Sequence, residues 1–159
     1  MPLEPISLRA IAVVRNHVAA PRPDGWEDVR SDLIFRDDLL AALDGIEAYS
    51  HVIVVFHCHR VPEEERTTGR LHPRGEASAS GGPEQGVLAT RSQRRPNAIG
   101  VAVVPLLRRR RNILRVQGLD AIDGTPVLDI KPYLPPYDSV PDAHLPDWVV
   151  GSAGETGSR

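Results

Sequence analysis

The chain has 159 residues, 19 basic and 21 acidic side chains and a formal charge of −2, a length that suits one domain able to bury roughly two-thirds of its unfolded surface. Its single cysteine, Cys58, excludes an internal disulfide framework and suits a reducing compartment. The longest apolar run, Val52–Phe56, is too short to cross a bilayer, the start MPLEPISLRA lacks the pattern of a secretion signal, and 41% hydrophobic content argues against global disorder, so a cytoplasmic protein with no membrane segment is expected.

In chain order, Ile6–Val14 mixes β-branched and apolar residues and predicts a strand. One helix is predicted around Arg36–Leu43, where Leu39, Leu40 and Leu43 share a face. His51–His59 (HVIVVFHCH) is a continuous apolar run consistent with a fully buried strand. Pro62–Gln85, rich in Glu, Gly, Ser and Pro, predicts a long mobile loop. Gly86–Thr90, Ile99–Leu107 and Asn112–Gln117 follow as short strands, and the break at Leu107–Asn112 predicts a hairpin whose turn carries four arginines. Leu119–Ile122 and Val127–Ile130 flank an Asp123–Gly124 turn. Many short strands with little helix predict a mainly all-β domain over residues 1–145, a small single-sheet antiparallel β-barrel with one or two short helices. Residues 146–159, ending GSAGETGSR, read as a disordered tail.

The charge of −2 is an average. Gly86–Gly118 holds eight arginines and no acid, set between acidic flanks, as expected where a polyanion is met. Among all basic residues only Lys131 is a lysine.

Three constellations carry candidate chemistry. In Arg91–Gly100 (RSQRRPNAIG), three arginines and a serine beside Pro96 suit a phosphate or carboxylate; the alternative is a solvated turn with Asn97 in the left-handed conformation. In Gly118–Tyr137 (GLDAIDGTPVLDIKPYLPPY), Asp120, Asp123 and Asp129 surround a tight turn ahead of Lys131 and Tyr133, where carboxylates suit ribose hydroxyls or an amino group; a plain hairpin explains Asp123 equally well. His57 and His59, two apart on a strand, share a face with Cys58 opposite, but no third ligand has supporting spacing, so no metal is expected. No G-x-G-x-x-G follows a strand, and no P-loop, G-x-S-x-G, H-E-x-x-H or paired C-x-x-C is present, so a Rossmann-type nucleotide fold has no support.

ATRSQRRPNAIG together with GLDAIDGTPVLDIKPYLPPYDS closely resembles the two signature stretches of the TsaA-like, or TrmO, family, and the likeness takes in FHCHR and IAVVRN with Pro21-Arg22 downstream. The resemblance implies a non-Rossmann, S-adenosylmethionine-dependent methyltransferase built on a β-barrel, a homodimer, and N6-methylation of N6-threonylcarbamoyladenosine at tRNA position 37, beside the anticodon. It implies cofactor contacts from Pro21, Arg22, His57, His59, Arg91, Leu119, Asp120, Ala121, Ile122 and Asp123. Ala98 stands where a second proline is common, Pro23 where a glutamine is usual, and the extra C-terminal domain of longer bacterial members is not expected.

For that reaction, Asp120, Asp129 or His57 suits the proton of the acceptor nitrogen. The substrate carboxylate suits Lys131 or the corner of Arg94, Arg95 and Asn97, beside Tyr133, and Arg108, Arg109, Arg110 and Arg111 suit the phosphates of the anticodon loop. A non-catalytic RNA- or nucleotide-binding barrel, or a methyltransferase of this fold acting on a small molecule, stays open as the alternative.

Overall fold

The computed structural model describes residues 3–72 and 83–149. The chain divides into two compact units, residues 1–59 with 99–133, and residues 60–98 with 134–159.

The first unit is a barrel of six strands, β1 (Ala12–Arg15), β2 (Arg30–Phe35), β3 (His51–His57), β6 (Ile99–Arg110), β7 (Ile113–Gln117) and β8 (Pro126–Pro132). They close in the order β1-β2-β7-β6-β3-β8, and every pairing is antiparallel. Closure leaves no unpaired strand edge. Alternation along each strand sends one set of side chains inward. Val14, Leu33, Val52, Val54, Leu114, Val116 and Val127 fill the interior with Leu119 from the loop after β7, an aliphatic core joined by the rings of Phe35 and Phe56. Phe56 lies opposite Gly100, where an added Cβ would sit 2.5 Å from the ring, so this position of the Arg91–Gly100 stretch is glycine for packing.

The second unit carries a 3-10 turn at Glu63–Glu65, a two-stranded ladder of β4 (Arg70–Leu71) with β5 (Gln85–Gly86), a 3-10 turn at Val87–Ala89, and the short helix α1 (Pro135–Asp138). The Asp138 carboxylate accepts the Leu134 N–H at 2.7 Å, tying the last residue of α1 back to its start. Residues 73–82 of the expected mobile loop, and residues 150–159 of the expected tail, lie outside the described residues.

An all-β barrel with few short helices is what the strand pattern predicted, with several corrections of detail. The predicted strand Ile6–Val14 starts only at Ala12, and Ile6 and Leu8 are exposed. The predicted helix at Arg36–Leu43 is instead two 3-10 turns, Asp37–Leu39 and Ala41–Leu43, with only Leu43 buried. β3 is buried on one face rather than fully, with Val52, Val54 and Phe56 inward. Gly86–Thr90 is mostly a 3-10 turn, and Leu119–Ile122 is irregular chain pinned by burial of Leu119, Ala121 and Ile122. β2 was not anticipated, because Ser31 and Asp32 interrupt its apolar run: Ser31 faces inward and accepts a hydrogen bond from Asn16, while Asp32 faces outward against Arg115.

Candidate functional site

One end of the barrel is made by the loop between β1 and β2, the irregular stretch 118–125 and the exit of β3. Asn16 joins these elements. Its amide donates to Ala121 O and to Ser31 Oγ, each at 2.9 Å, and its side-chain oxygen accepts the Val18 N–H at 2.9 Å. Its backbone N–H donates to Asp123 Oδ1 at 3.0 Å. The Asp123 N–H reaches Val18 O and the Gly124 N–H reaches Val14 O, both at 2.8 Å, and Arg15 Nη1 lies 3.3 Å from Asp123 Oδ2. Both Asp123 oxygens are therefore engaged within the fold, which makes this residue the clamp of the turn. Gly124 has φ 82°, a conformation that favours glycine, and a Cβ there would lie 3.9 Å from His59 Nε2. His59 thus stands beside the Asp-Gly turn.

Of the acids in this stretch, Asp120 is the one with a free carboxylate: it is exposed between buried Leu119 and Ala121 and makes no hydrogen bond or ion pair among the described residues. A small mixed cluster, Val18, Val29 and Ile122 with Trp26 against it, backs the same loops. Pro21 and Arg22 lie exposed on the β1–β2 loop. The Arg22 guanidinium sits 5.0 Å from the Trp26 ring centroid and donates to Gly25 O, and Trp26 Nε1 donates to Arg22 O at 3.1 Å. Trp26 had no signal in the sequence beyond being one of two tryptophans; its stacking against Arg22 emerges only from the loop's path.

His57 and His59 do not share a strand face. β3 ends at His57, and the His59 N–H turns back to His57 O at 2.7 Å, so strand alternation stops there, with Cys58 packed against the core. Among the described residues no group of three or more His, Cys, Asp or Glu is placed to hold a metal ion.

Asp129 and Lys131 flank Ile130 on β8. Ile130 packs on the core, so both charged residues face outward, and they form a 2.9 Å ion pair. The hydrogen bond to Asp129 raises the Lys131 pKa above its ordinary value of 10.5, holding the ammonium charged. Tyr133 packs edge-on to His51, with ring centroids 6.4 Å apart.

The Arg91–Gly100 corner largely belongs to the second unit. Arg94 Nη2 pairs with Glu65 at 3.0 Å, Arg95 Nη2 donates to Thr90 O at 3.1 Å, and Ser92 Oγ accepts the Arg94 N–H, so Arg94, Arg95 and Ser92 are engaged locally. Arg91 and Asn97 are exposed. The left-handed residue is Ala98, at φ 47°, rather than Asn97. A proline, locked near φ −65°, is incompatible with that backbone.

The four arginines expected in one hairpin turn are distributed differently. β6 runs through Arg110, and only Arg111 (φ 52°) and Asn112 make the turn, with Arg110 paired to Ile113. Arg109 is not presented to solvent: with its side chain 12% exposed, it donates to Leu43 O and Leu40 O at 3.0 and 3.1 Å and pairs with Asp44 at 2.9 Å and Glu47 at 3.2 Å. Its role is to fasten the 3-10 turns of residues 37–48 to the end of the barrel. Arg108, Arg110 and Arg111 remain exposed.

Residues 12–139 match the family described as the tRNA-methyltransferase O N-terminal domain. A probable S-adenosyl-L-methionine-binding protein from Methanothermobacter thermautotrophicus is 38% identical over 139 residues, covering 85% of this chain and 95% of that protein. The tRNA (adenine(37)-N6)-methyltransferase of Escherichia coli is 43% identical over 106 residues, covering 64% of this chain and 43% of that enzyme. The crystal structure of TrmO from Pseudomonas aeruginosa is similar with a TM-score of 0.72 at 31% identity, covering 92% of this chain and 62% of that one. The chain therefore spans under two-thirds of that solved structure and less than half of the E. coli enzyme.

Proposed function

The chain belongs to the tRNA-methyltransferase O family, and we propose from that membership that it is an S-adenosylmethionine-dependent methyltransferase acting on adenine N6 of tRNA. The match over residues 12–139 carries this reading. The barrel end described above supports it through the chemistry of its donor set. Asp120 offers an unengaged carboxylate to ribose hydroxyls or an amino group, the backbone of 119–123 is held rigid by Asn16, and the His59 imidazole lies against Gly124. Pro21 and Arg22 complete the proposed cofactor contacts on this unit.

The cofactor supplies a methyl group carried on a sulfonium. What the chain contributes is alignment, since positioning two reactants accounts for much of such a transfer. No covalent nucleophile is needed, in keeping with one half-buried cysteine packed on the core. Asp120 is the proposed proton acceptor, because Asp129 is already paired with Lys131 and Asp123 with Asn16 and Arg15. The proposed acceptor is N6-threonylcarbamoyladenosine at position 37, whose carboxylate is met by Lys131 through a charge-assisted hydrogen bond.

A second copy of the chain is the proposed partner of the outer face of β3 and β6, where Ile53 and Val55 lie beside Val101 and Val103, the last 50% exposed. Sedimentation of Val103→Asp, expected to be monomeric against a dimeric parent, tests that assembly.

Calorimetry with S-adenosylmethionine, followed by mass spectrometry of tRNA nucleosides from a strain lacking the protein, tests the function. Heat of binding and disappearance of the methylated threonylcarbamoyladenosine are expected; an unchanged nucleoside profile overturns the substrate. Lys131→Ala is expected to abolish methylation while leaving cofactor affinity nearly intact, and unchanged turnover would remove Lys131 from the substrate site.

A further inference from the structure

We infer that the outer face of β2, β7 and β6 is a docking surface for the phosphodiester backbone of RNA, with Arg108 and Arg110 as its contact groups; the inference rests on the tRNA reading above and assigns that partner a surface. Strand register places Arg15 opposite Asp32, Asp32 opposite Arg115, and Arg115 opposite Arg108, so four neighbouring strands carry one outward row of charge. Adjacent strands lie ~4.8 Å apart, and Arg110 follows Arg108 on the same face of β6 about 6.8 Å further along. Asp32, Arg108, Arg110, Ile113 and Arg115 line a cleft of about 180 Å³.

Charge accounting separates these arginines. Asp32 takes Arg115 bidentately, Nε to Oδ1 and Nη2 to Oδ2, both at 2.7 Å. That hydrogen-bonded pair lowers the Asp32 pKa below its ordinary 3.8, with the charges of Arg115 and Arg108 adding to the effect, so the carboxylate stays ionised and holds Arg115 flat on the sheet. One carboxylate neutralises one guanidinium. Arg108 and Arg110 keep their charge, are exposed, and make no hydrogen bond or ion pair among the described residues. Arg109, between them in sequence, points the other way and is fully engaged.

The surroundings favour a polyanion. No acidic residue lies in the whole stretch from Gly86 to Gly118. Guanidinium forks match phosphate oxygens bidentately, and a rigid sheet presents them without the ordering cost of a loop. An acidic protein segment requires apolar anchors in addition to charge, and the cleft supplies only Ile113.

The test uses the intact chain and an unmodified tRNA transcript, measuring affinity by anisotropy over a range of salt concentrations, with R108Q/R110Q, R108K/R110K and Arg36→Ala compared with the parent. Each single-strand phosphate contact contributes about −0.7 to the log–log salt slope, so the double glutamine variant is expected to flatten the slope by about 1.4 and weaken binding roughly tenfold. The lysine variant keeps its charges and is expected to retain most of the slope; Arg36→Ala, far from the cleft in sequence and paired with Asp38, is expected to match the parent. Equal slopes in parent and glutamine variant overturn the surface, as does a parent that binds cofactor but no tRNA. Calorimetry with S-adenosylmethionine on the same samples keeps the two readings apart: a normal heat with an unchanged slope fails the surface alone, whereas no heat in the parent fails the enzyme reading. Loss of slope in the lysine variant as well would point to a fold effect and overturn the charge argument.

Discussion

At one end of the barrel Arg109 reaches back from β6 to bind two carbonyls and two carboxylates of the segment between β2 and β3; at the other, Asn16 binds the Ala121 carbonyl, the Ser31 hydroxyl and, through its backbone, Asp123. Both residues gather loops with a few directed hydrogen bonds. Arg109 turns the two carbonyls and two acids that it gathers into fastenings. The Asn16 end leaves Asp120 unengaged, stacks Arg22 on Trp26 and sets His59 against the Asp-Gly turn. Groups satisfied internally, as around Arg109, contribute stability, whereas the Asn16 end holds its backbone in place and leaves a carboxylate open.

The contrast is broken most directly at Arg109. Arg109→Ala leaves the Leu40 and Leu43 carbonyls without their donor and is expected to lower Tm by roughly 5–10 °C, with cofactor affinity of the folded protein unchanged. Thermal melts and calorimetry read the two quantities separately, and a fall in cofactor affinity would mean that the ends are not independent. Asn16→Ala is expected to cost about 1–2 kcal/mol of stability and, unlike Arg109→Ala, to weaken cofactor binding as the 119–123 backbone loosens. If its binding heat is unchanged, Asn16 is structural only. Gly124→Ala places a side chain at φ 82° and is expected to cost about 1–2 kcal/mol, with a smaller loss of cofactor affinity through crowding at His59.

The smallest effect concerns Asp32, away from both ends. Its folded pKa is depressed by Arg115, so its contribution to stability is present above the ordinary value of 3.8 and is lost as pH falls below that through the folded pKa. Asp32→Asn is therefore expected to lower stability by a small, constant amount at neutral pH and to make the acid limb of the stability curve shallower below about pH 4, where variant and parent converge; superimposable curves would show that the pair adds nothing.

Much of the barrel was legible in the residues. The apolar runs of β3, β6, β7 and β8, and the Asp123–Gly124 turn, announce themselves through β-branched composition and turn chemistry, which act over a few residues. The family likeness was legible for the same local reason, as two contiguous stretches. β2 was not, since its meaning lies in partners far away: Ser31 is buried because Asn16 satisfies it, and Asp32 is acceptable in a strand because Arg115 lies opposite. Leu119–Ile122 has strand composition but no free neighbour to pair with, so burial of its side chains sets its path instead.

Arginine composition shows the division most sharply. Sequence alone established an eight-arginine stretch free of acid, its place between acidic flanks, and an all-β domain around it. Only tertiary closure decided which of those charges remain available. Arg109 meets Asp44 across 65 residues, Arg115 meets Asp32 across 83, and Asp123 meets Asn16 across 107. Neutralisation depends on distance in space, and the barrel's register sets those distances, so one arginine becomes a fastening, another an ion pair, and Arg108 and Arg110 are left facing solvent on one side of a sheet.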